Sequence, residues 1–168
     1  MGSVPSPSHR VADADLTALA RIRAAAIELF AAQGFAHTTV RSIAERAGVS
    51  AALILHHYGS KDGLRAACDA YLLDFLRDEK TKAFTTGSAP TTKAYLRDHP
   101  ETRPLFDYMT RVLAEGGPTA EAMFDRMVAD VRGYLAAGEA AGTVRPSVDE
   151  EARAVVHTAI GVSLLLLG

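Results

Sequence analysis

The sequence predicts an all-α protein, and three observations predict it. Alanine is abundant, while Trp and long alternating Val/Ile/Thr-rich runs are missing, so intrinsic propensity favours helix over strand. Apolar residues recur at three- and four-residue spacing, and Gly or Pro falls in the gaps between those stretches. The architecture expected is a small three-helix module containing a helix-turn-helix, joined by a long helix to a larger helical part.

The first helix is placed at about Asp15 to Gln33, where Leu16, Leu19, Ala20, Ala26, Ile27, Leu29 and Phe30 form an apolar stripe. Asp13 or Asp15 is suited to accept from its free N–H groups, and Gly34 stops it by entering the left-handed region. Thr39 caps a short second helix, Val40 to Ala47, with Val40, Ile43, Ala44 and Ala47 on its buried face. Gly48 ends that helix. Val49 fills the corner, and Ser50 caps a third helix, Ala51 to Tyr58, which buries Leu53, Ile54 and Tyr58. Two helices meeting across Gly48-Val49-Ser50 make a helix-turn-helix pattern. Ser60 caps a long helix from Lys61 to about Phe84, and a break carrying Gly87 and Pro90 follows. Further helices are expected over Thr92–Asp98, Glu101–Ala114, Thr119–Ala141 and Val148–Leu167.

Length and composition narrow the function classes. With 168 residues, 48% hydrophobic and 23% charged, the chain has the balance of a globular protein of one or two cores. A single cysteine, Cys68, excludes an internal disulfide framework and a cysteine zinc cluster. Met1 to Val11 is Gly/Ser/Pro-rich without the apolar core of a signal peptide, and Leu164–Leu167 is far too short to cross a bilayer, so a cytoplasmic protein with no membrane partner is expected. The net charge of −2 is unevenly distributed: residues 1–65 hold seven Lys/Arg against five Asp/Glu, and the remainder holds eleven against fifteen. The N-terminal part, with four of the six histidines, is the more basic.

The recognition helix of such a module enters the major groove with its N-terminal half while caps and flanking residues hold phosphates. Thr39 and Ser50 offer hydroxyls and helix N-termini to backbone oxygens. Lys61 is a movable point charge at the start of the next helix, His56, His57 and Tyr58 supply further donors, and Arg41 is placed to reach a guanine edge or clamp a phosphate.

Ala24-Ala25-Ala26-Ile27-Glu28-Leu29-Phe30, Gly34-Phe35, Thr38 to Ala44, Ala47-Gly48-Val49-Ser50 and His56 to Leu64, in that order, resemble the N-terminal signature of the TetR family of transcriptional regulators. The match covers about Arg21 to Leu64. The resemblance implies a homodimer, usually a repressor on a palindromic double-stranded DNA operator, released when a small apolar or amphipathic effector enters the C-terminal helices. It divides the chain into a flexible arm (1–14), a DNA-binding domain (15–60) and a ligand-binding and dimerisation domain (61–168). By position, Thr39, His57 and Lys61 match the family's phosphate contacts, while Arg41, Ala51, Ala52, Leu55 and His56 match positions facing bases or nearby backbone. The chain departs from the family at Ala51, Ala52 and Leu53, where a polar set such as Lys-Gly-Thr is common, and at Leu55, where an aromatic is common. Base reading then falls to thymine methyl contacts from Ala51, Ala52 or Leu55, to Arg41 and His56, and to DNA shape.

The C-terminal part carries no comparable motif. Tyr95, Phe106, Met109, Phe124, Met127 and His157 are candidates to line an effector cavity, against the plainer reading that such residues are core. His157, Ile160, Gly161 and Leu164 of the last helix are candidates for a dimer seam, since the resemblance implies pairing through the final helices. Because the sequence ends within the apolar run Val162–Leu167, a further helix is expected beyond it.

The remaining chemistry-bearing residues have plainer readings. His56 and His57 point about 100° apart on a helix with no third ligand nearby, so no metal site is expected. Cys68 reads as a buried thiol, Arg97-Asp98-His99 as a solvated helix end, and Asp149-Glu150-Glu151 as favourable charge at a helix start. With no Gly-rich phosphate loop, nucleophile elbow or metal cluster, an enzyme is disfavoured, and no catalytic residue or cofactor is assigned. The alternative function is a helical DNA-binding regulator controlled by a protein partner instead of a small ligand.

Overall fold

The computed structural model describes residues 7–88 and 90–167, with side chains from Thr17 onward, and it is helical throughout with no strand among them. In order the helices are α1 (Pro7–His37), α2 (Val40–Ala47), α3 (Ala51–Tyr58), α4 (Lys61–Thr86), α5 (Thr92–Asp98), a 3-10 turn (Pro100–Thr102), α6 (Arg103–Glu115), α7 (Gly117–Ala140) and α8 (Glu150–Leu167). The chain forms two compact units, residues 1–68 and 69–168, so the division falls inside α4, later than the expected boundary at residue 60.

In the first unit α1 starts eight residues before the expected Asp15. Pro is at no disadvantage in the first turn, and residues 8–33 contain neither Gly nor Pro to interrupt the helix. Asp13 and Asp15, expected as caps, therefore lie inside it. Of the arm expected over 1–14, residues 1–6 lie outside the described residues and the rest is helical. Gly34 breaks the helical path as expected, with φ 77° and ψ 167°, and one more turn follows to His37. The core of this unit is formed by Ile22, Ala26 and Phe30 of α1, Ile43 and Ala44 of α2, Ile54 of α3, and Leu64 and Cys68 of α4, all buried. Val40, Leu53 and Tyr58, expected inside, are only partly covered, because helices of eight residues turn just one narrow stripe inward.

The second unit buries Leu105, Tyr108, Met109 and Val112 of α6 together with Met123, Val131, Tyr134 and Leu135 of α7 and Ala154 and Thr158 of α8. The Tyr108 hydroxyl donates to Asp69 at 2.6 Å, which satisfies the one polar atom of a fully enclosed ring. Phe84 stacks on Tyr134 with centroids 4.9 Å apart, and the His157 ring meets both edge-on. The first turn expected for α6 is a 3-10 turn, where Thr102 donates its hydroxyl to His99 at 2.7 Å. The helix expected from Val148 begins at Glu150, since the Asp149 carboxylate caps it by accepting from the Ala152 N–H at 2.8 Å.

Candidate nucleic-acid interface

The turn between α2 and α3 is built from local signals. Thr39 is in extended conformation, its hydroxyl accepts from the Ser42 N–H at 3.0 Å, and the Ser42 hydroxyl accepts from the Thr39 N–H at 3.1 Å, which closes a capping box. Gly48 adopts φ 67° and ψ 41° and ends α2, after which the Val49 N–H donates to Ala44 at 3.0 Å. Ser50 then caps α3 by accepting from the Leu53 N–H at 3.1 Å. Two ties hold α2 against α1: Arg46 donates to Glu28 at 2.9 and 2.6 Å, and Arg21 Nε donates to the Ala47 carbonyl at 3.2 Å.

With Ile54 buried, the opposite side of α3 presents Ala52, Leu55 and His56 to solvent, spaced so that they share one face. Leu55 is 46% exposed, an apolar residue held outward on a short helix. Ala51 and His57 flank that face and are half-buried, with the His56 and His57 rings edge-on at 5.1 Å. Tyr58 is also half-buried; burial pushes its phenol pKa up, partly opposed by Arg23, so it stays a neutral donor. Thr39 and Ser50 are exposed at the N-termini of their helices. Arg41 is 87% exposed on α2 and pairs with Glu45 one turn on at 3.0 Å, a weak link that a phosphate or base edge can displace.

Lys61 departs from the expectation of a freely movable charge. Its Nζ donates to the carbonyls of Phe35 and Thr38, both at 2.9 Å, and sits 4.2 Å from the Phe35 ring centroid. An ammonium has three N–H bonds, so one remains for a phosphate. Beside it, Thr38 is fully buried: its hydroxyl lies 2.8 Å from the Gly34 carbonyl and 3.3 Å from that of Leu29, and accepts from Gln33 at 3.2 Å. Phe35, expected to turn inward after Gly34, is half-buried with its ring 5.5 Å from that of Phe30, while Thr38 and Ser42 are given no individual role by the sequence reading; a hydroxyl three residues after a cap is the one local signal that marks Ser42.

In the second unit a cavity of about 250 Å³ has Phe75, Leu76, Glu79, Lys80, Tyr95 and Phe106 among its walls. Two of the six effector-site candidates, Tyr95 and Phe106, line it. Met109 is buried in the core, Phe124 packs against the Val128–Leu135 cluster, Met127 is half-buried on α7, and His157 belongs to the Phe84–Tyr134 stack. Ile160, Gly161 and Leu164 are exposed on α8, Ile160 at 56% and Leu164 at 68%, in company with Val155 and Val156. No three His, Cys, Asp or Glu side chains converge on a metal position among the described residues.

Two short capped helices set across a Gly-Val-Ser turn, the second bare on its outer side and braced by a longer helix, define a helix-turn-helix protein. Comparison with known proteins extends this. Residues 22–68 match the bacterial regulatory proteins of the tetR family, and residues 100–168 match a tetracyclin repressor-like C-terminal domain. The chain is 45% identical over 141 residues to the HTH-type transcriptional regulatory protein RaaS of Mycobacterium tuberculosis, an alignment taking in 84% of this chain and 66% of that protein's length. It is similar in structure to a protein from Rhodococcus sp. assigned to the TetR-family transcriptional regulators, with a TM-score of 0.67 and 21% identity over 89% of this chain and 86% of that one. It is also similar to a bacterial regulatory protein in the tetR family from Rhodococcus RHA1, with a TM-score of 0.52 and 28% identity over 88% and 83% of the two chains. The chain belongs to the TetR family of bacterial regulatory proteins, as a transcriptional regulator and not an enzyme.

Proposed function

We propose that this protein is a cytoplasmic, ligand-responsive repressor that binds a palindromic DNA operator as a homodimer and leaves it when a small apolar or amphipathic molecule enters the second unit. The observation that carries the reading is the outward face of α3, where Ala52, Leu55 and His56 lie open beside the Ser50 cap and the exposed Thr39 and Arg41. Hydroxyls and helix N-termini at Thr39 and Ser50 suit phosphate oxygens, as do His57, Tyr58 and the free N–H of Lys61. Ala51, Ala52 and Leu55 suit thymine methyls, and Arg41 and His56 suit base edges or adjacent backbone. A two-fold dimer through Ile160, Gly161, Leu164 and the neighbouring His157 would cover the exposed apolar residues of α8. The cavity lined by Tyr95 and Phe106 is the effector site in this reading.

Selection of bound duplexes from a random DNA library, repeated at several salt concentrations, tests it. The expected result is a palindrome whose half-sites are spaced by about one helical turn or a related distance. Binding that enriches no motif and stays within the roughly 10⁻⁴–10⁻⁶ M of non-specific contact would overturn the reading of α3 as a sequence reader.

A further inference from the structure

We propose that the cavity of the second unit takes a small amphiphile with an anionic head, the head seated on Lys80 and the chain held among Phe75, Leu76 and Phe106. This rests on the reading of that cavity as the effector site, and goes beyond it by assigning the charge of the ligand.

Lys80 lines the cavity and makes no ion pair or hydrogen bond with any described residue. Burial lowers its ammonium pKa, with no neighbouring carboxylate acting in the opposite sense. A desolvated cation without a counter-ion is costly, and an anion brought in by a ligand relieves that cost directly. The lining holds two lysines, Lys80 and Lys82, against one acid, Glu79. Glu79 is the one acid on the wall, and its carboxylate already accepts from the Tyr95 hydroxyl at 3.0 Å. The Tyr95 pKa is pushed up to about 12, chiefly by burial and then by this bond, so the phenol keeps its proton and Glu79 keeps its partner. Lys82 adds a second, more exposed cation to the cavity lining, while His99 is exposed and lies 3.3 Å from Glu101. On α8, the His157 pKa is lowered by burial and then by Lys80 and Arg153, of which Arg153 is paired with Glu139. At about 250 Å³ the cavity lies just below the range of about 300–1,000 Å³ typical of sites for drug-sized ligands, which suits a small ligand of about ten heavy atoms.

Titration calorimetry of the full chain with octanoate, octyl phosphate, 1-octanol and octyltrimethylammonium tests the assignment, with release of the selected operator read in parallel. The expected result is that at least one anion binds ten times or more tightly than octanol, that the cation does not bind, and that Lys80→Met removes the anion's advantage while leaving octanol unchanged. A difference between octanoate and octyl phosphate tells a carboxylate ligand from a phosphate ligand. Binding of both octanoate and octyl phosphate no tighter than that of octanol by the unaltered chain overturns the inference without any variant. If octanol then releases DNA, the effector reading survives the loss of the charge assignment. Anions that bind preferentially yet leave the operator occupied have the converse meaning: the charge assignment stands and the effector reading falls. No binding by any of the four overturns the inference.

Discussion

Replacing Lys61 by Met separates two jobs that one ammonium performs. The substitution keeps a long apolar stem along the surface and deletes the charge, the two hydrogen bonds to the Phe35 and Thr38 carbonyls, and the contact with the Phe35 ring. Hydrogen bonds from a charged donor contribute about 1.5–3 kcal/mol each, and a cation over an exposed aromatic about 0.5–1 kcal/mol. Lys61 is half-buried, so water recovers much of what the two carbonyls lose, and a net destabilisation of about 2 kcal/mol is expected. With a urea slope of about 1–3 kcal/mol per molar, that is a fall in the midpoint of about 1 M for the transition that melts α1 to α3, followed by circular dichroism. Operator affinity should also fall at every sequence, with the slope of log K against log salt lowered by about one unit if the third N–H reaches a phosphate. A urea midpoint unchanged within about 0.2 M would refute the structural role. A lowered midpoint with an unchanged salt slope would show that Lys61 braces the module without touching DNA.

Other perturbations have equally definite outcomes. Gly63→Ala places a Cβ 2.0 Å from the Tyr58 carbonyl oxygen, a backbone atom that cannot swing aside, so a loss of about 3 kcal/mol is expected in thermal or urea unfolding, and near-neutral behaviour would contradict the tight Tyr58–Gly63 turn. Thr38→Val preserves shape but leaves the Gly34 and Leu29 carbonyls and the Gln33 amide short of a partner, at a cost of about 1–2 kcal/mol by the same measurement. His157 has its pKa lowered by burial first and then by Lys80 and Arg153, so the unfolded chain binds its proton more readily than the folded one. Its share of stability is therefore complete above the ordinary histidine value of about 6.5 and is lost as pH falls through the lower folded value; melting temperatures between pH 8 and 5 should drop less in His157→Gln than in the unaltered chain.

What the sequence made legible is what short-range chemistry decides. α2 and α3 begin and end where Thr39, Gly48, Ser50 and Gly59 say they do, because a cap is a bond between residues two or three apart and needs no tertiary information. Lys61 shows the opposite case. Its partners Phe35 and Thr38 lie 26 and 23 residues away, and nothing in the spacing announces that a lysine at a helix start will reach back to the end of α1. The effector candidates divide for a similar reason: Tyr95 and Phe106 line the cavity while Met109, one turn on from Phe106, is buried in the core, and both have the apolar periodicity of an inward face. Which turn of a helix meets a gap is set by its neighbours. Lys80 was invisible for the same cause, since a lysine in an amphipathic helix reads as a solvated one until its surroundings are known.

This division also explains why a strong family signature says so little about the operator. Several of its most informative residues are engaged in building the module: Phe30, Ile43 and Ile54 are core, Thr38 and Lys61 fasten the end of α1, and Gly63 admits the Tyr58 carbonyl. Their demands are the same whatever DNA is bound, so they can be read with the operator unknown. The side chains that face outward from α3, Ala52 and Leu55 above all, carry no hydrogen-bonding group, and a methyl or isobutyl surface discriminates bases through the thymine methyl and through the shape of the groove. Ala52→Ser, which adds a single hydroxyl to that face, should therefore alter base preference at one position per half-site while leaving the urea midpoint within about 0.3 M, as surface substitutions away from caps and cores do. An unchanged preference across a base-substituted operator would place α3 further from the groove floor than its exposure suggests, and would leave Arg41 and His56 as the readers.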